Sequence, residues 1–192
     1  MNATSTRNSV GDKIDIETVI AKAAEFGFRL ATLAELTAGV ALAESLLGSS
    51  IATPGQINDM NRITGMTAWV TGTPVEGIFL TLPLTYAGEA AVRDGTYTPA
   101  DPDPAHLARQ GHNVSAFYVG VYAGSTHRAR KLIMTASAVL RVQMFGAYPA
   151  YARAATSDGQ RSMESLGFRK FEGGLPDLYI QDAFFARPNR AA

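Results

Sequence analysis

The sequence contains no cysteine, which excludes disulfide bonds, thiolate metal sites and a cysteine nucleophile. Its charges cancel, because 17 Lys and Arg residues face 17 Asp and Glu residues. Overall charge therefore attracts neither nucleic acid nor an anionic membrane. The sequence also lacks an apolar run of the roughly 18 residues that a membrane helix needs, and its polar start "MNATSTRNSVGDKIDIE" differs from a signal peptide. These absences predict a cytoplasmic protein with neither a nucleic-acid nor a membrane partner.

The amount of apolar sequence predicts one folded core. Of 192 residues, 46% are hydrophobic and 18% charged, a composition typical of globular proteins. We expect a flexible tail over residues 1–12 and a single domain over 13–192. The three histidines, at positions 106, 112 and 127, are too scattered for a metal site, so no metal is expected. The "DPDPAH" stretch is explained equally well by a rigid surface turn.

The first third of the chain is predicted to be helical. Apolar residues recur at helical spacing over 15–28 and 33–47, and more weakly over 54–63. Two apolar runs at 67–70 and 75–82 follow, separated by "TGTP", which is typical of an antiparallel hairpin. The chain therefore changes from helices to strands near residue 65.

Residues 86–113 are rich in Gly, Pro and Asp and predict a long loop, with a short helix near 87–93. Long ordered loops in compact domains often contribute to function. Two interpretations stay open here: a loop on the substrate side, or a simple excursion of the chain.

The stretch "YVGVYAGSTHRARKLIMTA" at 118–136 predicts a strand that turns directly into a helix over 126–144. Strand alternation would place Phe117, Val119 and Val121 on one face, and Tyr118, Gly120 and Tyr122 on the other. A short strand at 151–155, a helix beginning at 156–158 and a final strand within "LPDLYIQDAFFA" complete the pattern. Together these elements predict an α/β fold with helices on both faces of a sheet.

The junction between strand and helix has the composition of an anion site. The first turn of a helix has backbone N–H groups without partners and carries partial positive charge. Small residues at 123–125 would allow a phosphate to approach the backbone, and Arg128, Arg130 and Lys131 are near. The alternative is an ordinary turn with solvated basic side chains.

Three stretches resemble the GNAT-type N-acyltransferases, which bind acyl-CoA. "YVGVYAGSTHRARKLIMTA" resembles the family's strand, pyrophosphate loop and long helix, and "AATSDGQRSMESLGF" its next strand and the helix that ends in Leu-Gly-Phe. The hairpin "TAWVTGTPVEGIFLTLPL" resembles its second and third strands, so the resemblance covers most of residues 15–185. It implies a GNAT-like α/β (α+β) fold with a mixed, largely antiparallel central sheet and helices on both faces. It also implies acetyl-CoA or another acyl-CoA as co-substrate.

Carried over residue by residue, the resemblance implies where the coenzyme binds. In one register the signature positions of the pyrophosphate loop fall on Thr126, Ala129 and Lys131. In a register two residues earlier they fall on Gly124, His127 and Ala129, and both registers stay open. The implied cofactor-binding residues are Val119, Val121, Gly124, Ser125, Thr126, His127, Arg128, Ala129, Arg130 and Lys131.

The sequence departs from the family pattern at positions that matter for catalysis. Met163 stands where many members carry the tyrosine that protonates the CoA thiolate, and Ser115 where some carry a glutamate base. The catalytic residues are therefore unassigned. The candidates for the base are His106, His112 and Glu76; Tyr151 could replace the missing acid, and Tyr118 could line the acceptor side.

Three functions follow from these observations. The first is an acyl-CoA-dependent N-acyltransferase that transfers an acetyl group to a small-molecule amine. The second is a catalytically weak CoA-binding regulatory or interaction protein of the same fold. The third is an unrelated α+β protein in which the junction is only a turn. The oligomeric state is open, with a homodimer among the alternatives.

Overall fold

We analysed a computed structural model of the chain, which describes residues 14–185; the predicted tail over 1–12 lies outside the described residues. The helices are α1 (Ile16–Ala24), α2 (Leu33–Leu47), α3 (Pro54–Thr64), α4 (Tyr86–Asp94), α5 (His127–Gln143) and α6 (Ser157–Ser165). The strands are β1 (Phe28–Leu30), β2 (Ala68–Thr71), β3 (Gly77–Leu84), β4 (Ala116–Gly124), β5 (Ala150–Arg153), β6 (Arg169–Lys170) and β7 (Leu178–Gln181).

The strands form one sheet in the order β1-β2-β3-β4-β5-β7-β6. Within it, β4 and β5 pair in parallel, and the other neighbouring pairs are antiparallel. The predicted mixed and largely antiparallel sheet is therefore confirmed. The parallel pair requires a crossover between β4 and β5, and α5 provides it.

Helices cover both faces of the sheet, as predicted. On one face α2, α3 and α4 pack against the apolar side chains of the central strands. On the other face α1 and α5 bury a second cluster that contains Trp69 and Phe79. In the described part of the chain, no helix combines the length and the apolar character that crossing a membrane would need.

Local sequence signals set the helix boundaries. Thr32 and Glu35 form a capping box at the start of α2, and Gly48 ends the helix with φ 68°, so its predicted bounds are confirmed. The first helix ends earlier than predicted, at Ala24, because the chain turns at Gly27 (φ 74°) and Phe28 begins β1. The strands β1 and β6 were not predicted, since three and two residues are too few to show a pattern.

The stretch predicted as a long loop over 86–113 is partly helical. The short helix anticipated at 87–93 is present as α4, and its N-cap Thr85 accepts a hydrogen bond from Gly88 N–H. The rest folds back onto the sheet, where Leu107 forms a bridge with Leu84. This segment therefore extends the surface beside β3 and β4.

Candidate functional site

The central strand β4 carries a β-bulge. Leu80 of β3 is opposite Val121, whereas the next residue, Thr81, is opposite Val119, so Gly120 has no partner on β3. An extra residue of this kind disrupts the ladder and leaves itself unpaired.

The bulge also reverses the alternation of side chains along β4. Tyr118 and Val121, three residues apart, lie in the core on the α2 side, while Phe117 and Tyr122 pack with the cluster on the α5 side. The predicted alternation, which grouped Phe117 with Val121, is therefore wrong beyond the bulge. One inserted residue changes which side chains face α5.

The two parallel strands separate just after the bulge. Their pairing runs only from Phe117–Ala150 to Val119–Ala152. Beyond that point β4 continues to Gly124 along β3, whereas β5 ends at Arg153 and the chain enters α6. The edge of β4 that faces away from β3 is therefore unpaired over its last residues, and a gap opens between the carboxyl ends of the strands.

A cleft of about 580 Å³ fills this gap. Its floor is formed by Val119–Gly124 and by Ala152, and its walls are the facing sides of α5 and α6. Leu46 and Leu47 at the end of α2 also line it, so the cleft reaches from the α5 side of the sheet to the α2 side. None of the residues of α6 is buried, although its Met163 side chain faces this cleft. The inner side of α6 therefore lacks a packed partner in the described protein.

One end of the cleft meets the start of α5. The N-cap Thr126 accepts a hydrogen bond from Ala129 N–H at 3.0 Å, and Arg130 N–H begins the helical ladder by donating to Thr126 O. The amides of Thr126, His127 and Arg128 precede that ladder, and first-turn amides have no partner inside a helix.

Gly124 brings the helix start close to the strand. A Cβ atom at this position would lie 2.8 Å from Arg130 N and 3.1 Å from Ala129 C, so no side chain fits without displacing α5. The Arg130 guanidinium in turn donates to Gly124 O at 3.3 Å.

The predicted coenzyme residues divide into two groups. Val119, Val121, Gly124 and Arg130 line the cleft. The others lie around its end: Thr126, His127, Arg128 and Lys131 are exposed, and Ala129 is buried against the sheet. The amide and hydroxyl of Ser125 both donate to Glu76 O, at 2.9 and 3.1 Å, so its amide is already used.

Sequence reasoning missed several polar groups that line the cleft, among them Tyr122, Ser137 and Arg141. Burial raises the pKa of Tyr122 to about 12, against the opposing effects of Ser137 and of the Arg141 charge. Burial also lowers the pKa of Arg141 to about 10. Tyr122 therefore keeps its proton at neutral pH, and Arg141 keeps its charge. The signal for Ser137 and Arg141 in the sequence was the helical spacing of residues 130, 134, 137 and 141 along α5, which places them on one side.

The catalytic candidates from the sequence do not line the cleft. His106, His112 and Glu76 all lie outside its walls. The suggestion that Tyr151 acts as the acid is also not supported, because this residue is fully buried on the α2 side of the sheet. Met163, in contrast, does line the cleft.

Tyr151 instead belongs to a partly buried polar network that the sequence did not predict. Its hydroxyl donates to Glu89 Oε1 at 3.1 Å and accepts from Arg93 Nη1 at 3.3 Å. The Ser115 hydroxyl donates to the other oxygen of the same carboxylate. A glutamate therefore does reach Ser115, but it comes from α4.

Comparisons with known proteins bear on the fold. No protein-family model and no curated protein sequence matches the chain. The structure is similar to a GNAT-family acetyltransferase from Streptococcus agalactiae 2603, with 17% identity, a TM-score of 0.51, and coverage of 81% of this chain and 94% of that one. It also matches Ard1 from Thermoplasma volcanium, with 13% identity, a TM-score of 0.46, and coverage of 80% and 93%. The likeness to the Streptococcus agalactiae protein shows that the described chain has the fold of the GNAT acetyltransferases, as the sequence resemblance predicted.

Proposed function

We propose that this protein is an acyl-CoA-dependent N-acyltransferase whose acceptor is a small-molecule amine in the cytoplasm. The observation that carries the proposal is the cleft between the separated ends of β4 and β5, which has the bulge at Gly120 in its floor and the start of α5 at its end. Such a cleft offers a long ligand an anion site at one end and an unpaired strand edge along its side.

The pyrophosphate would bind at the start of α5. The amides of Thr126, His127 and Arg128 precede the helical ladder, and helix starts bind phosphate through such groups. Arg130, which lines the cleft next to them, would add a charge-assisted hydrogen bond.

The pantetheine arm would lie along β4. This arm contains two amide groups, and the edge of β4 after Val119 has no neighbouring strand. An extended ligand with amides can pair with such an edge as an added strand would. The thioester would then lie near the bulge, where an unpaired backbone amide could stabilise the oxyanion.

The chemistry also requires a proton for the departing thiolate. Among the described residues that line the cleft, Tyr122 is the only tyrosine, and its raised pKa of about 12 keeps it protonated. We assign Tyr122 the role of proton donor, in place of the tyrosine that Met163 replaces. The amine would enter from the α2 side, past Leu46 and Leu47.

Binding and turnover test this proposal separately. A ligand that binds only the folded state at 100 times its dissociation constant stabilises it by about 2.7 kcal/mol, so saturating acetyl-CoA should raise the melting temperature. Thiol release would then be measured with a panel of amines. Gly120→Val is the matched variant, and it should lose the shift with acetyl-CoA because the added methyl groups would occupy the cleft floor. Its new Cβ would lie 3.4 Å from Leu80 Cβ, which is an ordinary contact. The absence of a shift with acetyl-CoA and longer thioesters would refute the proposal.

A second candidate is a CoA-binding protein without transferase activity. The described cleft-lining residues include neither a histidine nor a glutamate, and Met163 stands on α6 where an acid is needed. The one carboxylate among these residues, Asp158, is already paired with Arg161, so the cleft offers no unpaired carboxylate or imidazole to deprotonate the amine. Saturable coenzyme binding with no thiol release for any amine would favour this candidate.

A further inference from the structure

The cleft continues past the bulge. The sheet register places Gln181 opposite Ala150, and Ala150 opposite Phe117, which is two residues before Val119. At about 3.3 Å per strand residue, Gln181 is therefore roughly 7 Å beyond the bulge. Gln181 nevertheless lines the same cleft, so the cavity extends past the position proposed for the thioester.

The course of helix α5 also indicates that the cleft extends past the bulge. Gly124 packs against Arg130 at one end of β4, and the rings of Phe117 and Phe145 are 4.3 Å apart at the other. The helix therefore runs back along β4. Its residues Arg141 and Val142, which line the cleft, lie near the Phe117 end of β4.

The walls of this extension, here named the distal end, are mostly apolar. They comprise Ala138, Val142, Leu166, Phe168 and Phe184. Val142 and Phe184 are 49% and 46% exposed, although both are large apolar side chains. Exposed apolar side chains that meet around a cavity indicate a surface that an apolar ligand covers.

The distal end offers little attraction to a charged ligand. The one cation of its wall, Arg141, directs its donors away: Nε to Gln181 Oε1 at 2.6 Å, and the two terminal nitrogens to the carbonyls of Phe145 and Asp182 at 2.5 and 3.0 Å. The ring of Phe184 stacks 4.6 Å from the guanidinium carbon. The guanidinium is thus occupied by neutral oxygens and one aromatic ring.

The sequence outside the described residues contains few large apolar residues. The segment that follows Phe185 is "ARPNRAA", and the first 13 residues, "MNATSTRNSVGDK", are predominantly polar. Neither sequence has the run of large apolar residues that would fill the distal end.

We propose that the distal end binds the hydrocarbon tail of a medium-chain acyl group, so that the preferred donor is an acyl-CoA longer than acetyl-CoA. This inference rests on the proposed function. A length of roughly 7 Å accommodates about five or six carbons beyond the thioester, at carbon–carbon bond lengths near 1.5 Å. The preferred chain is therefore hexanoyl or heptanoyl, and uncharged.

Calorimetric titration of the full chain, without amine, would compare CoA, acetyl-CoA, hexanoyl-CoA and succinyl-CoA. Complete burial strengthens binding roughly fourfold for each methylene, so hexanoyl-CoA should bind at least about tenfold more tightly than acetyl-CoA. Equal or tighter binding of acetyl-CoA would overturn the inference while leaving the proposed function intact. A preference for succinyl-CoA would also overturn it, in favour of a charged tail held by Arg141. If neither CoA nor any thioester binds, the proposed function fails as well.

A pair of variants on α5 tests the location. Ala138→Leu extends into the distal end and should bring the hexanoyl-to-acetyl affinity ratio close to one. Thr135→Leu, on the same helix but exposed and outside the cleft, should leave that ratio unchanged. Val142→Asp, at a half-exposed site, is a second variant that lowers the ratio by placing a charge there. An unchanged ratio in both cleft variants would overturn the assignment.

Discussion

Replacement of Tyr151 by phenylalanine should change both the stability of the protein and its response to alkaline pH. The phenol is fully buried and joins α4 to β5 through its hydrogen bonds with Glu89 and Arg93. Hydrogen bonds to charged groups contribute about 1.5–3 kcal/mol. Because the bond to Arg93 is long, at 3.3 Å, we expect Tyr151→Phe to lower the free energy of unfolding by about 2 kcal/mol near pH 8.

The pH dependence follows from the raised pKa of the phenol. Burial, together with the Glu89 carboxylate and against Arg93, raises the pKa of Tyr151 from 10.0 to about 12. Between these values the unfolded state binds fewer protons than the folded state, so the stability that Tyr151 contributes is present below pH 10 and lost towards pH 12. Two pKa units correspond to about 3 kcal/mol. The deficit of Tyr151→Phe should therefore shrink by a comparable amount over this interval.

Urea denaturation between pH 8 and pH 12 would measure this effect, with the fluorescence of Trp69 as the signal. Trp69 is the only tryptophan in the chain and is buried. The other buried tyrosines with raised pKa values, Tyr97, Tyr118 and Tyr122, titrate in both proteins and cancel in the difference. Ser115→Ala is the control, because it removes another donor to Glu89 without removing a phenol. Its stability should stay a constant amount below wild type, and the same constant offset for Tyr151→Phe would refute the reasoning.

Other predictions concern the cleft. Tyr122→Phe should slow thiol release by about 100- to 10,000-fold, as expected for loss of a general acid, while calorimetry shows unchanged coenzyme affinity; equal loss of both would assign Tyr122 to binding. Gly124→Ala should destabilise the fold by about 1–3 kcal/mol through the close contact with Arg130, and a melting temperature equal to wild type would contradict this. Gly120→Val should abolish coenzyme binding with a change in unfolding free energy below about 1 kcal/mol, since its new contacts are ordinary.

The elements with strong local signals were predictable from the sequence. The bounds of α2 follow from a capping box and a C-terminal glycine that act within a few residues. The turn from β4 into α5 is visible as a strand pattern followed by Thr126, which caps the helix. In these places the interactions that set the structure lie between residues close in sequence.

The coenzyme residues inferred from the junction show where such reasoning stops. Residues near the start of α5 could be named from composition and resemblance, yet only some of them line the cleft. Tyr122 precedes the junction and Arg141 lies near the end of α5, and neither was named as a site residue. Their importance depends on α6, which follows β5 and forms the opposite wall of the cleft.

Apart from the short strands β1 and β6, the order of helices and strands, the hairpin and the helix caps were readable from the sequence, because hydrophobic periodicity and capping are local properties of the chain. The bulge at Gly120 was not, since a bulge exists only relative to the partner strand β3. Nor was the network in which α4 supplies Glu89 to Ser115, 26 residues away, or the cleft between β4 and β5. These features depend on which strands become neighbours and where their pairing ends, and that is decided by packing of distant segments.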